Sequence, residues 1–137
     1  LEVNGILVDT NAHTAFAAGD RGAIDIFHAA PIVALNAVIV GELRTGISLG
    51  SRSAANMQHL AAFLSRPRVV LLNIDEQTED VYCSVSIALR QLGRPIPTND
   101  IWIAASALPH GVDLFSYDAH FRTIPQLRVG TKLSDFP

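Results

Sequence analysis

Ile6-Leu7-Val8-Asp9 is an unbroken apolar run that follows Gly5 and stops at an acid. A strand with one face in water alternates apolar and polar residues. A run without alternation is covered on both faces, as strands of a parallel sheet are. Residues 31–35 read as a second buried strand, 68–74 and 112–117 as a third and a fourth strand, and 127–132 is a candidate fifth. Longer helical patterns lie between them. Residues 11–18 and 20–29 form two short helices broken near Gly19. Asn36 is placed to cap a helix running to about Leu49. Residues 53–65 carry Met57, Leu60, Ala61 and Leu64 on one face. Asp75 caps a helix with Val81, Val85, Ala88, Leu89 and Leu92 on its apolar face, closed by Gly93. Pro95 and Pro97 hold an extended loop, after which Thr98 or Asn99 caps a helix to about Leu108. Strands alternating with helices predict a doubly wound α/β sheet, whose ligands gather beyond the carboxyl ends of the strands.

The composition fits one globular domain spanning residues 1–137: the chain has 137 residues, 49% of them hydrophobic and 17% charged. Cys83 is the only cysteine, which excludes an internal disulfide or a cysteine-rich zinc site and fits a reducing cytoplasm. Its position reads as a small buried side chain on the helix face. The longest uncharged stretch, 26–41, contains His28, Pro31 and Asn36 and falls short of the roughly 20 apolar residues of a membrane span. No charged segment leading into an apolar one opens the chain, so no signal peptide and no membrane partner are expected. Thirteen acids against ten bases give a net charge of −3, which argues against a strongly basic nucleic-acid clamp. It leaves room for a nucleic-acid enzyme whose acids hold metal ions, because the cations supply the missing charge.

The acids fall in telling places. Asp9 and Asp118 follow the first and fourth strands directly, and Asp100 lies in the first turn of a helix. Glu42 sits mid-helix among Val38, Ile39, Thr45, Gly46 and Leu49, a poor setting for a solvated charge. Each also has a plain structural account. Asp9 and Asp118 suit helix caps, Asp100 suits the positive end of a helix dipole, and Glu42 could turn to solvent or pair with an arginine. Taken together they imply more. Two carboxylates about 4 Å apart repel by ~4 kcal/mol at an effective dielectric of about 20. No lysine is near any of the four in sequence, so a divalent cation is the natural counter-charge. Oxygen ligands favour Mg2+ or Mn2+.

These residues resemble a known family. Ile6-Leu7-Val8-Asp9-Thr10-Asn11 looks like the opening strand of PIN domains, and Gly41-Glu42-Leu43 like their helical glutamate motif. Pro97-Thr98-Asn99-Asp100-Ile101-Trp102-Ile103-Ala104-Ala105 resembles their third motif, and Ser116-Tyr117-Asp118-Ala119-His120-Phe121 their fourth, commonly Thr-x-Asp-x-His-Phe. The four occur in family order across residues 5 to about 125, and the size and pattern are most similar to VapC-type toxins. The resemblance implies a single-domain three-layer α/β/α sandwich around a central parallel sheet. It also implies a metal-dependent endoribonuclease, the toxin of a toxin–antitoxin pair, with RNA as substrate, a cognate antitoxin and a second copy of itself as partners. Asp9, Asp100 and Asp118 would then hold Mg2+ or Mn2+, and Glu42 would contribute directly or through water. Thr10, Asn11 and Ser116 would orient the carboxylates. A basic residue that relatives often carry within the fourth motif is absent here.

Water activated by such an ion would hydrolyse a phosphodiester and leave a 5′-phosphate and a 3′-hydroxyl. Arg90 and Arg94, flanking the loop before Asp100, are the candidate phosphate contacts. The five histidines show no metal-ligand spacing, and His120 reads as a packing or capping residue, with RNA contact the alternative. Trp102 reads as a core or rim aromatic rather than a base-stacking platform. The competing reading is a catalytically idle PIN-like module that binds RNA or an antitoxin. A phosphotransfer domain would want a lysine late in the sheet, where only the near-terminal Lys132 stands. An Asp-x-Asp phosphatase fails at Asn11.

Overall fold

The computed structural model describes residues 4–137, so the first three residues of the expected domain lie outside the described residues. The chain runs β1 (Ile6–Val8), α1 (Thr10–Ala17), α2 (Arg21–Ala29), β2 (Val33–Asn36), α3 (Ala37–Leu49) and α4 (Ser53–Leu64). It continues through β3 (Val69–Leu72), α5 (Glu76–Gln91), α6 (Thr98–His110), β4 (Asp113–Phe115), a 3-10 turn over Ala119–Thr123 and β5 (Val129–Gly130). The five strands form one sheet in the order β3-β2-β1-β4-β5, parallel at every pairing. β1 is central, with Leu7 opposite Ala34 on one side and Leu114 on the other. All three β1 residues are buried, as their lack of alternation predicts. Gly5 is needed just before β1, because a Cβ there would run into the Ile32 carbonyl.

The strand order makes a switch point. From β1 the chain steps outward to β2 and β3, then crosses back to place β4 on the other side of β1. Right-handed crossovers therefore put α1–α4 on one face and α5 and α6 on the other, the three-layer arrangement. On the first face Phe16 stacks on Phe27 at 4.1 Å between ring centroids, and Phe63 lies 5.7 Å from Phe16. On the second face Tyr82 stacks on Trp102 at 4.1 Å, so Trp102 is a packing aromatic between α5 and α6. Among the described residues no helix is long and apolar enough to cross a membrane.

Three local expectations are corrected. Neither Thr98 nor Asn99 caps α6: Pro97 occupies the cap position without a side-chain bond, its φ of −56° already suited to a helix start. Cys83 is exposed, because it lies two positions from both Val81 and Val85 and so on the opposite face of α5 from the core. The inward face of α5 is built on Thr78, Val85 and Leu89, and Leu92 is largely exposed beyond the last turn.

Candidate active site

Four segments far apart in sequence deliver acids to the carboxyl ends of β1 and β4, the switch point of the sheet. Asp9 is the cap of α1, with Oδ1 accepting from the Thr10 amide at 2.8 Å. Its Oδ2 accepts from the Ser116 hydroxyl at 2.7 Å, and the residue is only 6% exposed. Asp118 caps the following 3-10 turn, its Oδ1 accepting from the His120 amide at 2.9 Å. Both residues are caps, and the bond that ends each turn also fixes its carboxylate at the carboxyl end of the sheet.

Among the described residues Glu42 pairs with no arginine, and its carboxylate turns to Thr10 and Asn99. It is half-buried, with Oε1 accepting from the Thr10 hydroxyl at 2.8 Å and Oε2 from the Asn99 amide nitrogen at 3.4 Å. Asn99, passed over as a cap, thus ties the start of α6 to α3. Among the described residues the Asn11 side chain is hydrogen-bonded to Ser116 and Tyr117 rather than to a carboxylate. Its Oδ1 accepts from the Tyr117 amide at 3.1 Å, and its Nδ2 reaches the Ser116 hydroxyl at 3.5 Å, bracing the turn that presents Ser116. The Ser116 hydroxyl also accepts from the Asp118 amide at 3.0 Å.

His120 does more than pack or cap. Its Nδ1 lies 3.1 Å from Asp100 Oδ2 and 3.2 Å from Asp118 Oδ1. One ligand atom from each of Asp100, Asp118 and His120 falls within 4.8 Å of the others, a spacing a metal ion could occupy. The signal was present in the Asp-x-His spacing of the fourth motif. Histidine-to-histidine spacing could not reveal it, because the other two atoms come from carboxylates.

The electrostatics mark the cluster as strained for charge. Burial pushes the Asp9 carboxyl above its ordinary value against the pull of Ser116 and Thr10, and Asp100 and Glu42 push it further. Burial likewise raises Asp100, with Asp118 and Glu42 adding to the effect and His120 opposing it. Among the described residues no lysine or arginine is ion-paired to any of the four acids. Asp113, buried at the opposite end of β4, is by contrast matched by Arg128 at 2.6 Å.

Arg90 and Arg94 are both exposed. α5 and α6 are antiparallel, since His110 at the end of α6 acts on Asp75 at the start of α5. The last turn of α5, which carries Arg90, and the connection after it, which carries Arg94, therefore stand at the Asp100 end of the pair. On the other flank a largely apolar groove of about 650 Å³, walled by Phe16, Leu43, Ile47, Leu60 and Phe63, opens at Thr10 and Glu42.

Residues 6–127 match the PIN domain family. Ribonuclease VapC4 of Mycobacterium tuberculosis is 31% identical over 97 residues, covering 71% of this chain and 75% of that one. Among solved structures, VapBC2 from Rickettsia felis, bound to a DNA fragment from its promoter, matches with a TM-score of 0.80 at 22% identity, over 91% of this chain and 96% of that chain. DNA-bound VapBC from Salmonella typhimurium also gives 0.80, at 20% identity over 93% and 98%. At such identities the two structures speak for the fold, while the family match and the 31% relative speak for descent. The chain belongs to the PIN domain family and groups there with the VapC ribonucleases.

Proposed function

We propose that this chain is a divalent-cation-dependent endoribonuclease and the toxin half of a toxin–antitoxin pair. In this reading Asp9, Asp100 and Asp118 hold Mg2+ or Mn2+, and Glu42 supports them. The observation that carries it is the meeting of four acids from distant segments at the switch point, with no lysine or arginine ion-paired to them among the described residues. The residues fit a cation: buried carboxyls driven up by burial and by one another are stabilised as anions when positive charge arrives. That relatives are named ribonucleases supports RNA as substrate. That its fold neighbours are toxin–antitoxin complexes supports an antitoxin as partner.

When bound, the cation lowers the pKa of water and stabilises the developing charge on the leaving oxygen. The protein's part is positioning. Two donors, the Thr10 amide and the Ser116 hydroxyl, lock the Asp9 carboxylate from behind. Thr10 and Asn99 fix Glu42 from two sides, so that it adds negative charge and orients water at the rim. Arg90, in the last turn of α5, and Arg94, in the connection that leads to Asp100, guide the phosphate backbone from outside the cluster. An apolar antitoxin segment ending in a basic side chain matches the groove beside Glu42 and would block the opening there. A homodimer is the expected assembly, which light scattering on the purified chain tests.

The direct test is cleavage of RNA by the purified chain with Mg2+ or Mn2+. The expected products carry 5′-phosphate and 3′-hydroxyl ends, and excess EDTA abolishes the reaction. RNA binding without any cleavage in either ion would favour the idle binding module instead.

A further inference from the structure

We propose that His120 is itself a ligand of the cation, through Nδ1, and that this nitrogen biases the centre toward Mn2+ over Mg2+. The inference rests on the acidic centre proposed above and extends it. Nδ1 faces Asp100 Oδ2 at 3.1 Å and Asp118 Oδ1 at 3.2 Å at once. Adjacent corners of an octahedron with bonds of about 2.1 Å stand about 3.0 Å apart. Nδ1 therefore already stands from each oxygen at the spacing of neighbouring ligands around one small cation, and the three residues offer ligand atoms within 4.8 Å of one another.

A hydrogen bond accounts for this less well. Nδ1 carries at most one hydrogen, and that hydrogen can point squarely at only one of the two oxygens. A cation gives all three lone pairs a single target. The backbone beneath the ring is also braced. The His120 amide donates to Asp118 Oδ1 at 2.9 Å, the His120 carbonyl accepts from the Thr123 hydroxyl at 2.9 Å, and the neighbouring Phe121 is fully buried. The ring itself has half its side-chain surface in solvent, which leaves it free to adjust to an ion. Imidazole nitrogen suits transition-metal ions, whereas Mg2+ demands oxygen ligands and gives up its waters reluctantly. Of the two ions the acids would take, a nitrogen donor favours Mn2+.

The test loads the full chain with Mn2+ and reads it by pulsed electron paramagnetic resonance. Wild type is expected to show nitrogen modulation from a directly bound imidazole, and His120→Ala is expected to lose it while still binding Mn2+. Calorimetric titrations should show His120→Ala weakening Mn2+ binding by about 10–100-fold and Mg2+ binding much less. His120→Gln, which keeps the bulk of the side chain but not the ring nitrogen, should behave as His120→Ala does. Mn2+ bound to wild type without nitrogen modulation, modulation that persists in His120→Ala, or an equal loss for both ions would overturn the inference and leave the acidic centre standing. Failure of Mn2+ to bind wild type, or undiminished binding to Asp100→Asn, would overturn both.

Discussion

The Ser116 hydroxyl serves three partners with one atom. It donates to Asp9 and accepts from the Asp118 amide and the Asn11 side chain, in a position only 1% exposed. Ser116→Ala should lower kcat by about 10–100-fold, as removal of a group that orients a ligand does, with KM little changed. It should cost about 1–3 kcal/mol of stability in urea unfolding, since buried partners are left without their bond. Ser116→Thr keeps the hydroxyl and should retain more of both. The raised carboxyls carry a second prediction. Asp9 and Asp100 hold protons more tightly folded than unfolded, so the metal-free folded state binds more protons. The contribution of these two groups to metal-free stability should therefore be greatest at low pH within the carboxylate range and fall as pH rises through the raised folded values, opposite in sign to that of the lowered Asp75 and Asp135. Asp100→Asn should flatten that slope and raise the metal-free melting temperature at pH 7 by about 2–5 °C, and added Mn2+ should stabilise wild type more than the variant. Calorimetry against pH checks both. At this scale Asp9, Glu42, Asp100 and Asp118 were legible because carboxylates are conspicuous at strand ends and in apolar stripes. His120 was only half legible: the Asp-x-His spacing ties it to Asp118, but its approach to Asp100, twenty residues away, is made by another helix.

Asn36 shows how an element is both started and tied down. Its side chain caps α3 through the Ile39 amide at 2.9 Å and reaches across to the Ser106 hydroxyl of α6 at 2.9 Å. It thereby fixes the helix bearing Glu42 to the helix bearing Asp100. Asn36→Ala should cost about 2–4 kcal/mol, a missing cap plus a buried unpaired partner, read by urea unfolding. The cap was legible in sequence, as was Asp75, which forms a reciprocal box with Thr78 at the start of α5. The second job of Asn36 was not, since capping is a local pattern and the bond to Ser106 is a product of packing. Cys83 was misplaced for a related reason: a small apolar residue near a helix face says little until angular position is counted. The α5–α6 turn carries its own prediction. Replacing Arg90 and Arg94 with alanine should raise KM for RNA and leave kcat nearly unchanged. It should also reduce the salt dependence of binding by about one unit of slope for each phosphate that an arginine no longer neutralises. Unchanged KM and slope would remove both arginines from the RNA path.

On the scale of the whole molecule, the strand order explains why one end of the sheet is negative. At one end of β4 the buried Asp113 is matched by Arg128. At the other end, beyond the carboxyl ends of β1 and β4, several acids gather, and among the described residues His120 is the one basic side chain ion-paired to them. Buried apolar runs made the parallel sheet legible from the sequence. The order of its strands is seen only in the folded structure, because pairing between distant segments leaves no local trace. The most direct measurement of the central claim is the RNA cleavage rate as a function of Mn2+ concentration for wild type, Asp9→Asn, Asp100→Asn and Asp118→Asn, with Glu79→Gln as an exposed control. Saturable, metal-dependent cleavage is predicted in wild type and the control, with a fall of about 100-fold or more in each of the three variants and folding intact by circular dichroism. Wild-type cleavage that survives excess EDTA, or an Asp100→Asn variant as active as wild type, would contradict it.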